Sequence, residues 1–233
     1  MTPNNISMTC ASRNKKMQPV TIIVVRHGQT QWNVEGRWQG TLDSPLTELG
    51  RKQALDAAKI VAEYRLDAVY SSPVGRAVET ARIILSSSNL PIIPVEALRE
   101  RDHGVYEGLN AAEIEERYPG TRYRDCGVSR ETWAPPEGES MAEVRERVRQ
   151  FLLDLASRHS GQTVLLVTHS GVVRAVDSLC QGASFDEIWD RVPPNGCVYV
   201  ARVYRTGQFE CVRDCFQLSP VLETHAEKYL ASQ

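Results

Sequence analysis

Apolar residues follow two rhythms along this chain. Val20–Arg26 and Thr163–Thr168 are short runs that are apolar at consecutive positions, which predicts strands buried on both faces in the middle of a parallel sheet. Longer stretches repeat apolar residues every three or four positions and predict helices. One is predicted over about Thr47–Glu63, capped by Thr47, with Leu49, Ala54, Leu55, Ala58 and Val61 on one face. Others are predicted over Val74–Leu85, Ala111–Tyr118, Glu139–His159 and Gly171–Cys180. Val144, Val148, Phe151, Leu152 and Leu155 mark the buried stripe of the Glu139–His159 helix. Short strands are predicted at Ala68–Ser71 and Pro91–Val95. Cys197–Tyr204 and Phe209–Phe216, joined by Arg205-Thr206-Gly207-Gln208, predict a hairpin at one sheet edge. Thr121–Gly138 is irregular and turn-rich. This alternation predicts an α/β fold, a three-layer αβα sandwich around a mostly parallel central sheet.

No repeat, low-complexity tract or linker divides the chain, so residues 19–233 are expected to form a single domain. Residues 1–18 are polar and lack the apolar segment of a signal peptide. They are expected to be a disordered N-terminal extension, with Met17 as the alternative start.

Composition narrows the partners. With 42% hydrophobic and 24% charged residues in 233, the chain has the make-up of an ordinary globule. A net charge of −2 supplies no global basic field, so no nucleic acid and no membrane partner is expected, and affinity for anions must be local. The longest apolar runs are strand-sized, too short for a membrane-spanning helix. None of the six cysteines forms a C-x-x-C pair, and their scatter suits neither a zinc site nor a disulfide framework. Cys211 and Cys215 lie in a predicted strand and are expected to be core or edge thiols. A reduced, cytoplasmic protein is expected.

Two of the predicted strands end on histidine. Val20–Arg26 runs into His27-Gly28, and Thr163–Thr168 into His169-Ser170-Gly171. The carboxyl edge of a parallel sheet is where α/β proteins bind ligands, and glycine lets the backbone approach closely. Arg26 adjoins the first histidine, and Ser71-Ser72-Pro73-Val74-Gly75-Arg76 supplies a second arginine after another strand. An anion site is the leading idea. Phosphoryl transfer is mostly positioning and charge neutralisation, and guanidinium forks match phosphate oxygens. His27 can be the nucleophile, its pKa depressed by the two arginines so that the ring stays neutral. His169 can donate to an equatorial oxygen. Glu100 can be the general acid, which requires a partly buried or anion-facing carboxyl.

The run Arg26-His27-Gly28-Gln29-Thr30-Gln31-Trp32-Asn33 resembles the signature of the histidine phosphatase superfamily, branch 1, which includes cofactor-dependent phosphoglycerate mutases and many small-molecule phosphatases. The resemblance continues in order through Gln39-Gly40, Asp43-Ser44-Pro45-Leu46-Thr47, Ser71-Ser72-Pro73 with Arg76, Glu100 with Glu107-Gly108, Gly138-Glu139-Ser140 and Thr168-His169-Ser170-Gly171. It implies a phosphoglycerate mutase-like fold and a phosphohistidine on His27. Arg26, Arg76 and His169 would form the charged cup, with Asn33 and Gln39 beside phosphate or substrate oxygens and Glu100 as acid, then base. No metal or organic cofactor is expected. Ser170 stands where many relatives carry glycine or asparagine, and its backbone N–H can still serve the phosphate.

Singly, each of these residues has a plainer role. Arg76 could cover apolar surface, Glu100 could belong to a solvated charge cluster, and Asn33 could cap a turn. Only their ordered co-occurrence lifts them. His103, His159 and His225 carry no assigned role. Trp32, Trp133 and Trp189 are read as packing residues, and Trp38 and Tyr106 as pocket walls.

Three functions compete. The first is a metal-independent phosphatase acting on a small phosphorylated metabolite. The second is a cofactor-dependent phosphoglycerate mutase. The third is a non-catalytic phospholigand-binding or regulatory domain. Mutases that the chain resembles carry a longer insertion between the acid glutamate and the second histidine, where this chain has only Arg101–Thr168. A less sealed pocket admits water, which favours the phosphatase. Oligomeric state stays open, with an edge strand or the C-terminal tail as the pairing surface for a homodimer.

Overall fold

The computed structural model describes residues 18–216. The N-terminal extension expected over residues 1–18 lies outside them apart from Gln18, as do Cys10 and the tail that contains His225.

Among the described residues, six strands form one sheet. They are β1 (Val20–Arg26), β2 (Ala68–Ser71), β3 (Ile92–Pro94), β4 (Thr163–Thr168), β5 (Val198–Val203) and β6 (Phe209–Arg213), in the spatial order β3-β2-β4-β1-β5-β6. The β3-β2, β2-β4 and β4-β1 pairs are parallel, whereas β1-β5 and β5-β6 are antiparallel. The sheet is therefore mostly parallel, with the expected hairpin at one edge. Cys215 lies beyond the end of β6 and is buried.

Side chains of the central strands alternate between two cores, as the two-residue period of a strand requires. Ile22, Val24, Val164 and Leu166 pack towards α6 (Met141–Arg158) and α7 (Ser170–Gln181), against Val148, Leu152, Leu155 and Val172. Ile23, Val25, Leu165 and Val167 face the other way, towards α2 (Glu48–Val61) and α3 (Gly75–Ile84). Truncating a leucine as buried as Leu152 to alanine typically costs about 2–5 kcal/mol.

Three expectations need correction. On α2, Leu49 and Leu55 are exposed, and the buried face is Gly50, Ala54, Ala57 and Val61. Small residues are needed there because a Cβ on Gly50 would stand 2.1 Å from the Gln29 carbonyl oxygen. A short helix, α1 (Gln31–Glu35), follows the first strand, held by a capping box between Thr30 and Asn33. The segment 121–138 is not wholly irregular, since it contains α5 (Tyr123–Cys126). It follows α4 (Ala111–Arg117), which Asn110 and Glu113 cap reciprocally.

Candidate active site

Parallel pairing brings three strand ends to one edge. Arg26 of β1 lies opposite Thr168 of β4, and Ser71 of β2 opposite Val167. The next residues, His27, His169 and Ser72, therefore emerge together in the crevice beyond the carboxyl edge. The His27 N–H donates to the Thr168 carbonyl at 2.9 Å, and the Ser72 N–H to that of Val167 at 2.9 Å, so the ladder continues into the site.

The two imidazoles are buried and face each other edge to face, with centroids 5.2 Å apart. His27 Nδ1 lies 2.8 Å from the Gly28 carbonyl, which can only accept, so this nitrogen carries the proton. The lone pair is then on Nε2, which meets Arg76 Nε at 3.3 Å. Burial holds the His27 ring well below its usual pKa, with Arg76 and then Arg26 lowering it further and the Gly28 bond opposing. The sequence points to the arginines, but desolvation is the larger cause. The same holds for His169, lowered well below the ordinary value first by burial and then by Arg76.

Arg76 has a fully buried side chain held in a cage of carbonyls. Nη2 donates to Gly40 at 2.8 Å and Nη1 to Leu42 at 2.5 Å, while Asp43 takes the Arg76 backbone N–H at 3.1 Å. Glu107 builds that cage. Its carboxylate accepts from the Thr41 N–H at 2.8 Å and hydroxyl at 2.7 Å, fixing the loop that carries the Gly40 carbonyl. Arg26 donates through Nη1 to the Pro193 carbonyl at 2.5 Å, and its buried Nε has no partner. On His169, Nε2 sits 2.8 Å from Ser72 Oγ. That oxygen already accepts from the Val74 N–H, so its own proton is available to Nε2. The matching tautomer carries the proton on Nδ1, which is buried without a hydrogen-bond partner.

Glu100 reaches the crevice after a 3-10 turn, Glu96–Leu98, which Thr168 anchors through its hydroxyl to the Leu98 carbonyl at 2.7 Å. Its Oε1 accepts from the Gly171 N–H and from its neighbour Arg101 N–H, both at 2.9 Å. Oε2 has no hydrogen bond among the described residues and is available to carry a proton. Ser170 is the first residue of α7, so its N–H is among those at the helix N-terminus, beside the two histidines.

Asn33 and Gln39 use their amide oxygens within the protein. Asn33 Oδ1 already accepts from the Thr30 N–H at 3.0 Å and from Asn195 Nδ2 at 3.2 Å. Gln39 Oε1 accepts from the Thr30 hydroxyl at 3.1 Å. Both brace the loop after β1 through these atoms.

Several residues join the site without a sequence signal. Asn195 donates to the His27 carbonyl at 3.2 Å. Arg147 of α6 donates to the Glu100 carbonyl at 3.2 Å and to that of Ala97 at 2.8 Å, and pairs with Glu139. His103, assigned no role from sequence, lines a small cavity with Glu100, Gly171 and Trp38. Its ring meets Trp38 edge-on at 4.5 Å, and its buried Nδ1 has no partner. Desolvation pushes its pKa well below the usual value, helped by Arg101. Trp38 and Tyr106 line cavities, and so do Trp133 and Trp189, for which the sequence suggests packing alone.

Among the described residues, no cluster of three or more His, Cys, Asp or Glu is placed to hold a metal ion, and no helix is long and apolar enough to cross a membrane.

Comparison with known proteins agrees with this geometry. Phosphoserine phosphatase 1 of Hydrogenobacter thermophilus is 37% identical over 170 residues, which are 73% of this chain and 80% of that protein. A 2,3-bisphosphoglycerate-dependent phosphoglycerate mutase of Bartonella bacilliformis is 36% identical over 175 residues, covering 72% of this chain and 84% of the mutase. The solved structure of Bacillus stearothermophilus YhfR superposes with a TM-score of 0.77 at 34% identity, covering 89% of this chain and 99% of that one. The family model for the histidine phosphatase superfamily (branch 1) matches residues 22–214, and the chain belongs to that superfamily.

Proposed function

We propose that this phosphatase hydrolyses a small phosphomonoester through a phosphohistidine on His27. The observation that carries the reading is the lone pair of His27 Nε2, 3.3 Å from Arg76 and across from His169, with both imidazoles buried. A neutral imidazole is the form that can attack, and burial keeps it neutral. In the first step Nε2 bonds to phosphorus and the ester P–O bond breaks. The leaving oxygen takes the proton from Glu100. In the second step water attacks the phosphohistidine, Glu100 removes its proton, and the N–P bond breaks to release phosphate. Arg26, Arg76, His169 and the Ser170 N–H neutralise the phosphoryl oxygens, as preorganised donors must where charge develops. Asn33 and Gln39 brace the β1 loop through their amide oxygens and offer their amide N–H groups to phosphate or substrate oxygens. Three charged or polar side chains thus supply what a metal supplies in other phosphoryl-transfer sites.

O-Phosphoserine is the first substrate to test, supported by the name of the Hydrogenobacter relative. The mutase reading is favoured by the Bartonella relative, and the short connection between Glu100 and His169 speaks against it. Five unbridged cysteines among the described residues support a reducing, cytoplasmic setting. The experiment measures phosphate release from O-phosphoserine in excess chelator, beside interconversion of 3- and 2-phosphoglycerate primed with 2,3-bisphosphoglycerate. Phosphate release without interconversion is expected, and His27→Ala should abolish it. Interconversion faster than hydrolysis would make the chain a mutase, and turnover in His27→Ala would remove the nucleophile.

A further inference from the structure

Beside the small cavity at Glu100 lies a larger one, of about 260 Å³, that shares Trp38 and Trp189 with it. The phosphoryl chemistry leaves this second cavity unused. Its volume approaches the lower end of small-molecule sites, roughly 300–1,000 Å³, so it suits a compound with one ring. A serine-sized alcohol, three carbons long, would leave most of it unfilled.

Its walls have a specific chemistry. Trp38, Tyr106, Tyr123, Trp133 and Trp189 supply aromatic surface. Tyr106 and Trp133 have already spent their polar tips. The Tyr106 hydroxyl bonds Thr121 Oγ1 at 2.7 Å, and Trp133 Nε1 donates to the Thr121 carbonyl at 3.2 Å. What remains of those two rings for a ligand is their apolar surface.

Between the rings stand cations. Arg122, Arg124 and Arg130 line the same cavity, where Asp190 is the only acid among the described lining residues. Arg122 and Arg124 both lie near the Glu115 carboxylate, at 3.8 and 3.3 Å. The Arg130 guanidinium lies 4.9 Å from both the Tyr123 and the Trp189 ring centres, and its buried Nε has no hydrogen-bond partner. The Tyr123 and Trp189 rings stack with centroids 6.4 Å apart, so the guanidinium is lodged against the pair, and a planar fork in a fixed place is suited to a carboxylate or phosphate oxygen pair.

We infer that this cavity binds the alcohol part of the substrate and selects a phosphomonoester whose alcohol carries both a flat ring and a second negative charge. The inference rests on the phosphatase reading. In that frame the ester oxygen sits at Glu100, the ring passes Trp38 and Trp189, and the distal anion meets Arg130.

A pair of synthetic esters tests it. 4-Carboxyphenyl phosphate and its uncharged isostere 4-carbamoylphenyl phosphate differ at the distal group alone. The carboxylate ester is expected to show a kcat/KM at least about tenfold higher, the size of one charge-assisted contact. Arg130→Gln should bring that ratio close to one, while Arg149→Gln, on the exposed side of α6, should leave it unchanged. Equal turnover of the two esters, or a preference that survives Arg130→Gln, would overturn the inference and leave the phosphatase intact. Binding of 4-hydroxybenzoate, followed by quenching of tryptophan fluorescence in wild type and in His27→Ala, reads the cavity without catalysis. Hydrolysis of no ester would refute the phosphatase, and quenching would then judge the cavity alone. Quenching lost in Arg130→Gln supports an anion pocket, and no quenching refutes it.

Discussion

Gly28 and Gly50 meet backbone to backbone: a Cβ on Gly28 would stand 2.1 Å from the Gly50 carbonyl oxygen. This contact seats α2 directly against the turn that presents His27, and neither side has a flexible atom to yield. Gly28→Ala must push the helix away from the nucleophile loop. Overpacking of this kind costs about 1–3 kcal/mol, and a lowered Tm together with lost phosphatase activity is expected. An unchanged melting curve would show that the loop has more room than this contact allows.

Gly171→Ala gives the opposite balance. Its Cβ would fall 2.5 Å from Glu100 Oε1, the far end of a side chain that can swing aside. Stability should hold or rise, since alanine favours a helix by up to about 1 kcal/mol over glycine. Activity should fall because the acid is displaced. Thermal melts beside phosphate-release assays separate the two effects.

Glu100→Gln keeps an acceptor for the Gly171 N–H but has no proton to give at neutral pH. Loss of a positioned general acid costs about 10²–10⁴-fold, so alkyl phosphates should slow by that order. Nitrophenyl phosphate, whose leaving group needs little protonation, should slow far less. Equal losses on both substrates would refute the acid role.

Arg76→Lys retains the charge but not the fork that holds Gly40, Leu42 and the His27 ring together. A fall in kcat of about 10²–10³-fold is expected, the magnitude seen when one preorganised donor is removed. Guanidinium ions added to Arg76→Ala should rescue part of the rate if the charge position is what matters.

Acid should destabilise the fold through its buried histidines. His27, His103 and His169 all have folded-state pKa values well below 6.5. The unfolded chain therefore binds more protons than the native one as pH falls below about 6.5, and stability drops with it. Above that value these rings are neutral in both states and contribute no slope. Melting temperatures measured between pH 5 and 8 should be flat at the alkaline end and decline towards the acid end. His103→Asn should reduce the decline.

Much of this is legible in the sequence. β4 has the bounds predicted, because its Val164–Val167 core is apolar at consecutive positions, as a central parallel strand buried on both faces requires. His27, His169, Arg26, Arg76 and Glu100 converge as their order in the chain implied. Leu49 and Leu55 misled because hydropathy weights leucine, whereas close helix-to-loop packing selected Gly50, Ala54 and Ala57. α1 buries no residue fully and so carries no periodic signal, though Thr30 and Asn33 at capping-box spacing could have revealed it. Arg147, Asn195 and His103 were invisible for another reason. Each acts through a partner at a place that only the folded loops define.

The pairing of Arg26 with Thr168 has a consequence for how such enzymes diversify. His27 and His169 each follow directly on one of these two paired residues, so the sheet ladder itself sets the spacing of the two imidazoles. The aromatic and cationic lining around Tyr123 and Arg130 belongs to a separate excursion of the chain. Mutation can therefore redraw what the enzyme accepts while the machinery that cleaves it stays tuned.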